Sequence, residues 1–91
     1  MIYTIDFDNS IVKIIAKWKK SNPVLFKKLS NILVELEVHP RTGLGHPEAL
    51  VGGNNVIYSR HIAKHNRILY KIMDEEVFVF IFELEGHYSD K

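Results

Sequence analysis

Side chains of a few chemical types fall at the predicted ends of strands and loops, where the chain is able to bring them together. They are one carboxylate, two guanidiniums, and an imidazole followed by a phenol near the C-terminus: Glu48, Arg60, Arg67, His87 and Tyr88. Cleavage of RNA without a metal requires such a set. A base takes the 2′-hydroxyl proton, a cation stabilises the phosphorane, and an acid protonates the departing 5′-oxygen.

Each residue type suits one of these roles. Glu48 carries the carboxylate of a general base, and Arg60 and Arg67 carry planar guanidiniums that match phosphate oxygens. His87 suits the general acid, because the ordinary histidine pKa of about 6.5 leaves a protonated fraction near neutral pH. Tyr88 is able to stack on a base or to hydrogen-bond the scissile group.

Composition and spacing alone leave structural interpretations open for the same residues. Glu48 suits a cap or a pair with a surface lysine equally well. Arg67 suits a salt bridge at the rim of the sheet, and His87 suits the end of a strand with no chemical role.

The histidine content raises the question of a metal site. There are five histidines: His39, His46, His61, His65 and His87. Zinc sites usually take two ligands close together in sequence, but the chain has neither an HExxH motif nor any cysteine. We therefore expect no metal and no other cofactor.

The overall composition is that of an ordinary globular protein. The 91 residues are 46% hydrophobic and 25% charged, with no cysteine and a formal net charge of +1, which predicts a single domain over residues 1–91. No apolar run reaches the roughly 20 residues that cross a bilayer, and the N-terminus does not resemble a signal peptide. We therefore expect a cytoplasmic protein that does not contact membranes.

A basic cluster lies in the first half of the chain. Its members are Lys17, Lys19, Lys20, Lys27 and Lys28. Lysine-rich helix surfaces are common for solubility alone, so the cluster is either a solvated helix face or a surface that faces RNA.

Hydrophobic periodicity predicts one strand and then two helices in the first half. Residues 2–7 alternate like a strand and end at a cap cluster at 8–10. Ile11, Ile14, Ile15 and Trp18 have helical spacing. Asn22 and Pro23 then suit the start of a second helix, and the short connection between the helices predicts an antiparallel hairpin.

The second half predicts a long irregular loop and then three antiparallel strands. The loop, rich in glycine and proline, runs to about residue 55, and long loops are often functional. The last strand is apolar on both faces over 77–82, which favours a central place in the sheet, and we expect its three phenylalanines, Phe78, Phe80 and Phe82, in the core. The predicted fold is α+β with the order β-α-α-β-β-β: a helical hairpin packed on a mainly antiparallel sheet of four strands.

Four segments in this order resemble the YoeB/Txe family of bacterial toxins, within the RelE/ParE superfamily. They are "GLGHPEAL", "YSRHI", "NRILYKI" and "GHY", and the resemblance extends over nearly the whole chain. It implies a RelE-like fold and an endoribonuclease that cuts mRNA in the ribosomal A site, without a metal, to leave a 2′,3′-cyclic phosphate. By position, Glu48 matches the general base of the family, Arg67 the phosphate-stabilising arginine, and His87 the general acid.

The resemblance also implies RNA-binding residues and partners. Arg60 lies in the matching basic strand, Tyr88 matches a terminal aromatic residue, and His46 and His61 stand where relatives carry lysine and arginine. The expected partners are a small acidic antitoxin, partly disordered when free, together with mRNA and rRNA; formation of a homodimer is left open.

The chain also departs from its relatives in ways that affect RNA binding. Val51 stands where relatives carry a loop lysine, Asn66 replaces a histidine, and "SDK" extends beyond the usual C-terminus. Together with His46 and His61, these changes reduce the fixed positive charge and predict a weaker hold on phosphate and rRNA.

Two other functions remain open from the sequence. One is a non-enzymatic toxin that inhibits DNA gyrase by binding it, as in the ParE branch of the superfamily. The other is a basic interaction module in which the loop at 39–55 binds a partner. Glu48 together with the "GHY" ending favours the nuclease, because an inhibitor has no chemical reason to keep them.

Overall fold

The computed structural model describes residues 2–50 and 56–86. Within these ranges the chain forms two α-helices and five strands, in an order that places the helices between the first strand and the rest. The elements are β1 (Thr4–Phe7), α1 (Asn9–Ser21), α2 (Pro23–Leu36), β2 (Glu48–Ala49), β3 (Ile57–Ala63), β4 (Asn66–Met73), a 3-10 turn (Asp74–Glu76) and β5 (Phe78–Glu85). Val51, His87 and Tyr88 lie outside the described residues.

Both helices begin where the sequence predicts. The Asp8 side chain accepts a hydrogen bond from the Ser10 N–H at 3.0 Å, and the Asn22 side chain accepts one from the Leu25 N–H at 3.4 Å. Pro23 occupies the first turn of α2, where its missing N–H has no partner to lose. The predicted pair of consecutive helices is therefore confirmed.

The sheet has the strand order β1-β5-β4-β3-β2. β1 pairs with β5 in parallel, and the other neighbours are antiparallel. The central position predicted for β5 is confirmed, since it lies between β1 and β4. The predicted strand count of four is wrong, because Glu48 and Ala49 form a fifth strand at the edge of the sheet, inside the segment predicted as an irregular loop. A two-residue strand has no alternation that sequence periodicity detects.

The core lies between the two helices and one face of the sheet. Trp18 on α1 is 2% exposed and packs with buried strand residues such as Tyr70 and Ile81. The core prediction for Phe78, Phe80 and Phe82 is wrong: they alternate with the fully buried Val79 and Ile81 and lie half-buried on the opposite face. An apolar strand with two similar faces does not reveal which face meets the helices.

A β-bulge changes the phase of β5 near its end. Tyr70 pairs with Ile81 but the preceding Leu69 pairs with Glu83, so β5 has one extra residue at this point. Beyond the bulge Leu84, rather than an odd-numbered residue, enters the core. Glu85 is thereby placed on the face turned away from the helices.

No helix in the described ranges is both long enough and apolar enough to span a membrane.

The residue between the 3-10 turn and β5 has a strained backbone. Val77 has φ 51° and ψ 54°, a left-handed conformation that is costly for a β-branched residue. We expect Val77→Asn to raise the free energy of unfolding by up to about 1 kcal/mol, because asparagine tolerates this conformation better. Urea unfolding measures the change. Val77→Thr keeps the branched Cβ and is the matched control; an equal gain in Val77→Thr would contradict this explanation.

Candidate functional site

The strand register brings several predicted site residues to the face of the sheet that is turned away from the helices, which we call the outer face. On this face Glu48 pairs with Ser59, and one step along the strands His61 pairs with Arg67. Arg67 in turn pairs with Glu85. Directly opposed residues in antiparallel strands share a face, as do residues two apart on one strand. Glu48, His61 and Arg67 therefore lie on one surface.

The spacing on this surface suits a nucleotide. Glu48 and Arg67 are two strands and one two-residue step apart, which corresponds to roughly 12 Å between their Cα atoms. The side chains of Glu48 and Arg67 are both long enough to reach toward the space between the two Cα atoms. Glu48 and His61 are exposed, and the side chain of Arg67 is 33% exposed. A chain of nucleic acid laid on the outer face would therefore meet a carboxylate, an imidazole and a guanidinium.

Arg67 is held on one side by a carboxylate that sequence reasoning missed. Its Nε donates to Glu85 Oε1 at 2.5 Å, and the two side chains are 33% and 37% exposed. Such a partly exposed pair contributes little to stability. Within residues 2–50 and 56–86, the terminal nitrogens of Arg67 have no hydrogen-bond partner, so they remain available to an anion. The signal in the sequence was the pair of glutamates, Glu83 and Glu85, at the end of an otherwise apolar strand.

The last described residue brings the end of β5 against the turn between β3 and β4. Gly86 has φ 89°, and a Cβ there would lie 2.0 Å from the carbonyl oxygen of His65. Glycine is therefore required for this close approach. Gly86 directly precedes His87 in the sequence, and the predicted roles of His87 and Tyr88 fall outside the described residues.

Arg60 lies in the interior, which does not fit its predicted role as an RNA contact. It is 0% exposed. Its Nε donates to the Tyr70 hydroxyl at 3.0 Å, and Nη1 donates to Glu35 Oε1 at 2.6 Å. The other acceptors are backbone carbonyls of the loop after α2: His39, Thr42 at 2.8 Å and Leu44 at 3.3 Å. A guanidinium with these partners has no surface to offer to RNA, so we correct its role to a structural one.

Arg60, Glu35 and Tyr70 together form what we call the loop clamp. Besides binding Arg60, Glu35 accepts the Leu44 N–H at 2.6 Å, and the Tyr70 hydroxyl donates to the Pro40 carbonyl at 2.7 Å. The clamp thus binds the loop after α2 at several points between residues 39 and 44. Because the loop leads directly into β2, the clamp fixes the approach of Glu48 to the sheet.

The loop then joins the sheet through a glycine. Gly45 has φ 78°, and a Cβ there would lie 2.4 Å from the His61 carbonyl oxygen. Its own carbonyl accepts the His61 N–H at 2.7 Å. His46, which follows, is exposed with φ 52°. Its predicted contact with RNA stays a prediction, as does that of His61.

Two side chains of the loop clamp, Glu35 and Tyr70, have shifted pKa values. Burial of Glu35 raises its pKa, but hydrogen bonds from the Leu44 N–H and Arg60, with the positive charge of Arg60, outweigh burial and lower the pKa overall. Burial raises the pKa of Tyr70, and the hydrogen bond and positive charge of Arg60 offset only part of this increase. Both groups are therefore held in the protonation state that the clamp requires: Glu35 ionised and Tyr70 neutral.

In the two described stretches of the chain, no three side chains of histidine, aspartate or glutamate lie close enough together to hold a metal ion.

The chain matches a known protein family over most of its length. The family described as the YoeB-like toxin of bacterial type II toxin-antitoxin systems matches residues 7–88. A toxin YoeB of Streptomyces coelicolor is 28% identical over 71 residues, which are 78% of this chain and 82% of that protein.

Solved structures share the fold. A YoeB–YefM complex from Staphylococcus aureus has a TM-score of 0.77 at 24% identity, covering 97% of this chain and 100% of that chain. A YoeB dimer from the same organism has a TM-score of 0.78 at 21% identity, with the same coverage. The predicted α+β class and the resemblance stated from the sequence are confirmed.

The structural role of Arg60 predicts a large loss of stability on conservative substitution. We expect Arg60→Lys to lower the free energy of unfolding by about 3 kcal/mol, because lysine cannot reproduce the planar fork and leaves Glu35 and several carbonyls unpaired. Arg67→Lys is the matched control on the outer face and should cost less than about 1 kcal/mol. Urea unfolding measures both. Similar small losses for the two variants would contradict the loop clamp.

The lowered pKa of Glu35 predicts a pH dependence of stability. The folded state holds this proton more weakly than the unfolded state, so the stabilisation is complete well above the unfolded pKa of about 4.3 and disappears as pH falls through the lower folded pKa. We expect the gap in unfolding free energy between wild type and Glu35→Gln to be largest near pH 7 and to shrink below about pH 4. Denaturant titrations at several pH values check this; a gap independent of pH would contradict it.

Proposed function

This chain belongs to the YoeB-like toxins of bacterial type II toxin-antitoxin systems, and we propose that it is an endoribonuclease that cuts mRNA in the A site of the ribosome. The observation that carries the proposal is the placement of Glu48, which is exposed, and Arg67, which is partly exposed, on one face of the sheet. Arg67 is also paired with the end of β5, two residues before His87. Of the three residues assigned to catalysis by resemblance, Glu48 and Arg67 therefore lie on one face of the sheet. His87 follows in sequence the end of β5, the strand whose Glu85 pairs with Arg67.

The chemistry assigned to these residues balances without a cofactor. Glu48 accepts the proton of the ribose 2′-hydroxyl, and the 2′-oxygen attacks the adjacent phosphorus. The terminal nitrogens of Arg67 stabilise the charge of the phosphorane. His87 donates a proton to the departing 5′-oxygen. The products are a 2′,3′-cyclic phosphate and a free 5′-hydroxyl.

The remaining predicted residues bind RNA in this proposal. His61 is the exposed cross-strand neighbour of Arg67, so its imidazole is suited to a neighbouring phosphate or base. His46 leads into β2 and lies two residues before Glu48 in sequence. Tyr88 is assigned to stacking on a base. Arg60 acts on RNA only indirectly, because the loop clamp that it centres fixes the segment carrying Glu48.

We further propose an antitoxin as the regulatory partner. The Staphylococcus aureus relative is described in complex with YefM and also as a dimer, which supports an antitoxin and a homodimer as assemblies of this chain. An acidic antitoxin segment is suited to compete with RNA for Arg67. The proposed site of action, the ribosome, places the toxin in the cytoplasm.

The catalytic roles predict loss of cleavage without loss of fold. We expect Glu48→Gln and His87→Gln each to lower the cleavage rate of ribosome-bound mRNA by at least about 100-fold, which is the usual contribution of a general base or acid. Primer extension measures cleavage and end-group analysis identifies the cyclic phosphate. Glu75→Gln, which changes an exposed carboxylate outside the site, is the control and should cut like wild type.

Two results would reject this function. Undiminished cleavage by Glu48→Gln and His87→Gln would reject the assigned roles. Induction of the wild-type protein that creates no new mRNA 5′ ends but triggers DNA-damage signalling would instead support a gyrase inhibitor of the ParE type.

A further inference from the structure

A cavity of about 180 Å³ lies beside Arg67 at the turn that joins β3 to β4. Its lining consists of His61, Lys64, His65, Asn66, Arg67 and Glu85, and we call it the turn cavity. We propose that the turn cavity binds a backbone phosphate of the RNA strand, one that neighbours the phosphate to be cut. This inference rests on the proposed nuclease function and adds a subsite to it.

The charges of the lining favour an anion. Lys64 and Arg67 carry fixed positive charges, and the imidazoles of His61 and His65 add N–H donors to the lining. Glu85 is the one carboxylate of the lining, and it accepts from Arg67 Nε at 2.5 Å. Since Glu85 is paired with Arg67, the charge of Lys64 leaves the lining with a net positive charge.

An unsatisfied donor lies in the same wall. Asn66 is 8% exposed, and its Nδ2 has no hydrogen-bond partner within the described part of the chain. Buried amide donors are normally paired, and an absent partner commonly points to an acceptor such as a water or an ion. A phosphate oxygen has the acceptor chemistry that this amide requires, and the buried amide would have to rotate toward the turn cavity to reach it.

The position of the cavity places it in line with the outer face. Arg67 belongs both to the outer face and to the lining of the turn cavity. Its Nε is bound by Glu85, and its terminal nitrogens are the groups assigned to the scissile phosphate. His61, the cross-strand neighbour of Arg67 on β3, also belongs to both surfaces. An RNA strand cut between Glu48 and Arg67 would therefore carry an adjacent phosphate past His61 to Lys64.

Salt dependence of RNA binding tests the proposal. The probe is an eight-nucleotide single-stranded RNA methylated at every 2′-oxygen, which keeps the phosphates but cannot be cleaved. We expect Lys64→Gln to reduce the slope of log affinity against log salt concentration by about 0.7, the value for one phosphate contact on a single strand. Lys64→Glu should reduce the slope further. Fluorescence anisotropy from about 50 to 200 mM salt measures it.

The controls separate this subsite from surface charge and from the nuclease itself. Lys17→Gln removes an exposed lysine from α1 and should leave the slope within error of wild type. Three results would overturn the proposal that the turn cavity binds a phosphate. They are an equal effect of Lys17→Gln and Lys64→Gln, no effect of Lys64→Gln, and no binding of the RNA at low salt. An effect seen only with a duplex RNA of the same length would overturn its assignment to the cut strand. Because the probe cannot react, none of these results depends on whether the protein cleaves mRNA.

Discussion

The buried guanidinium of Arg60 is the interaction on which the site depends. A charge with no exposed surface is tolerable only when every donor direction meets an acceptor, and here the acceptors are a carboxylate, a phenol and backbone carbonyls. Most of these acceptors belong to the loop after α2, which has no regular structure of its own. The hydrogen bonds from Arg60 thereby replace the backbone hydrogen bonds that a regular helix or strand would have. They hold the segment that leads to Glu48 in a fixed position.

The bulge in β5 is the second constraint. Without its extra residue, the alternation that buries Val79 and Ile81 would direct Glu85 toward the helices. With it, Leu84 completes the core and Glu85 faces Arg67 on the outer face. One inserted residue therefore allows a single strand to serve the core over most of its length and a charged surface at its end.

The sequence predicts the elements that have a local cause and misses those that depend on pairing. Helical spacing and the caps at Asp8 and Asn22 are encoded within a few residues, so both helices are recovered. The bulge, the two-residue strand at Glu48 and the orientation of the phenylalanines depend on which strand lies alongside. Arg60 is the clearest case: its neighbours in sequence resemble a basic strand, whereas its partners are loop carbonyls that no residue type reveals. The types and positions of Glu48 and Arg67 single them out in the sequence, and the resemblance assigns their catalytic roles. The strand register adds that the two residues share a face of the sheet.

The most direct measurement is the structure of the toxin bound to the ribosome with an mRNA whose 2′-hydroxyl is replaced at the cut position. We expect the terminal nitrogens of Arg67 to lie within hydrogen-bond distance of the scissile phosphate. We also expect the Glu48 carboxylate on the side of the 2′-position, and Arg60 bound to its loop, away from RNA. A phosphate bound by Arg60, or an RNA strand that crosses the helices instead of the outer face, would contradict the roles assigned to these residues.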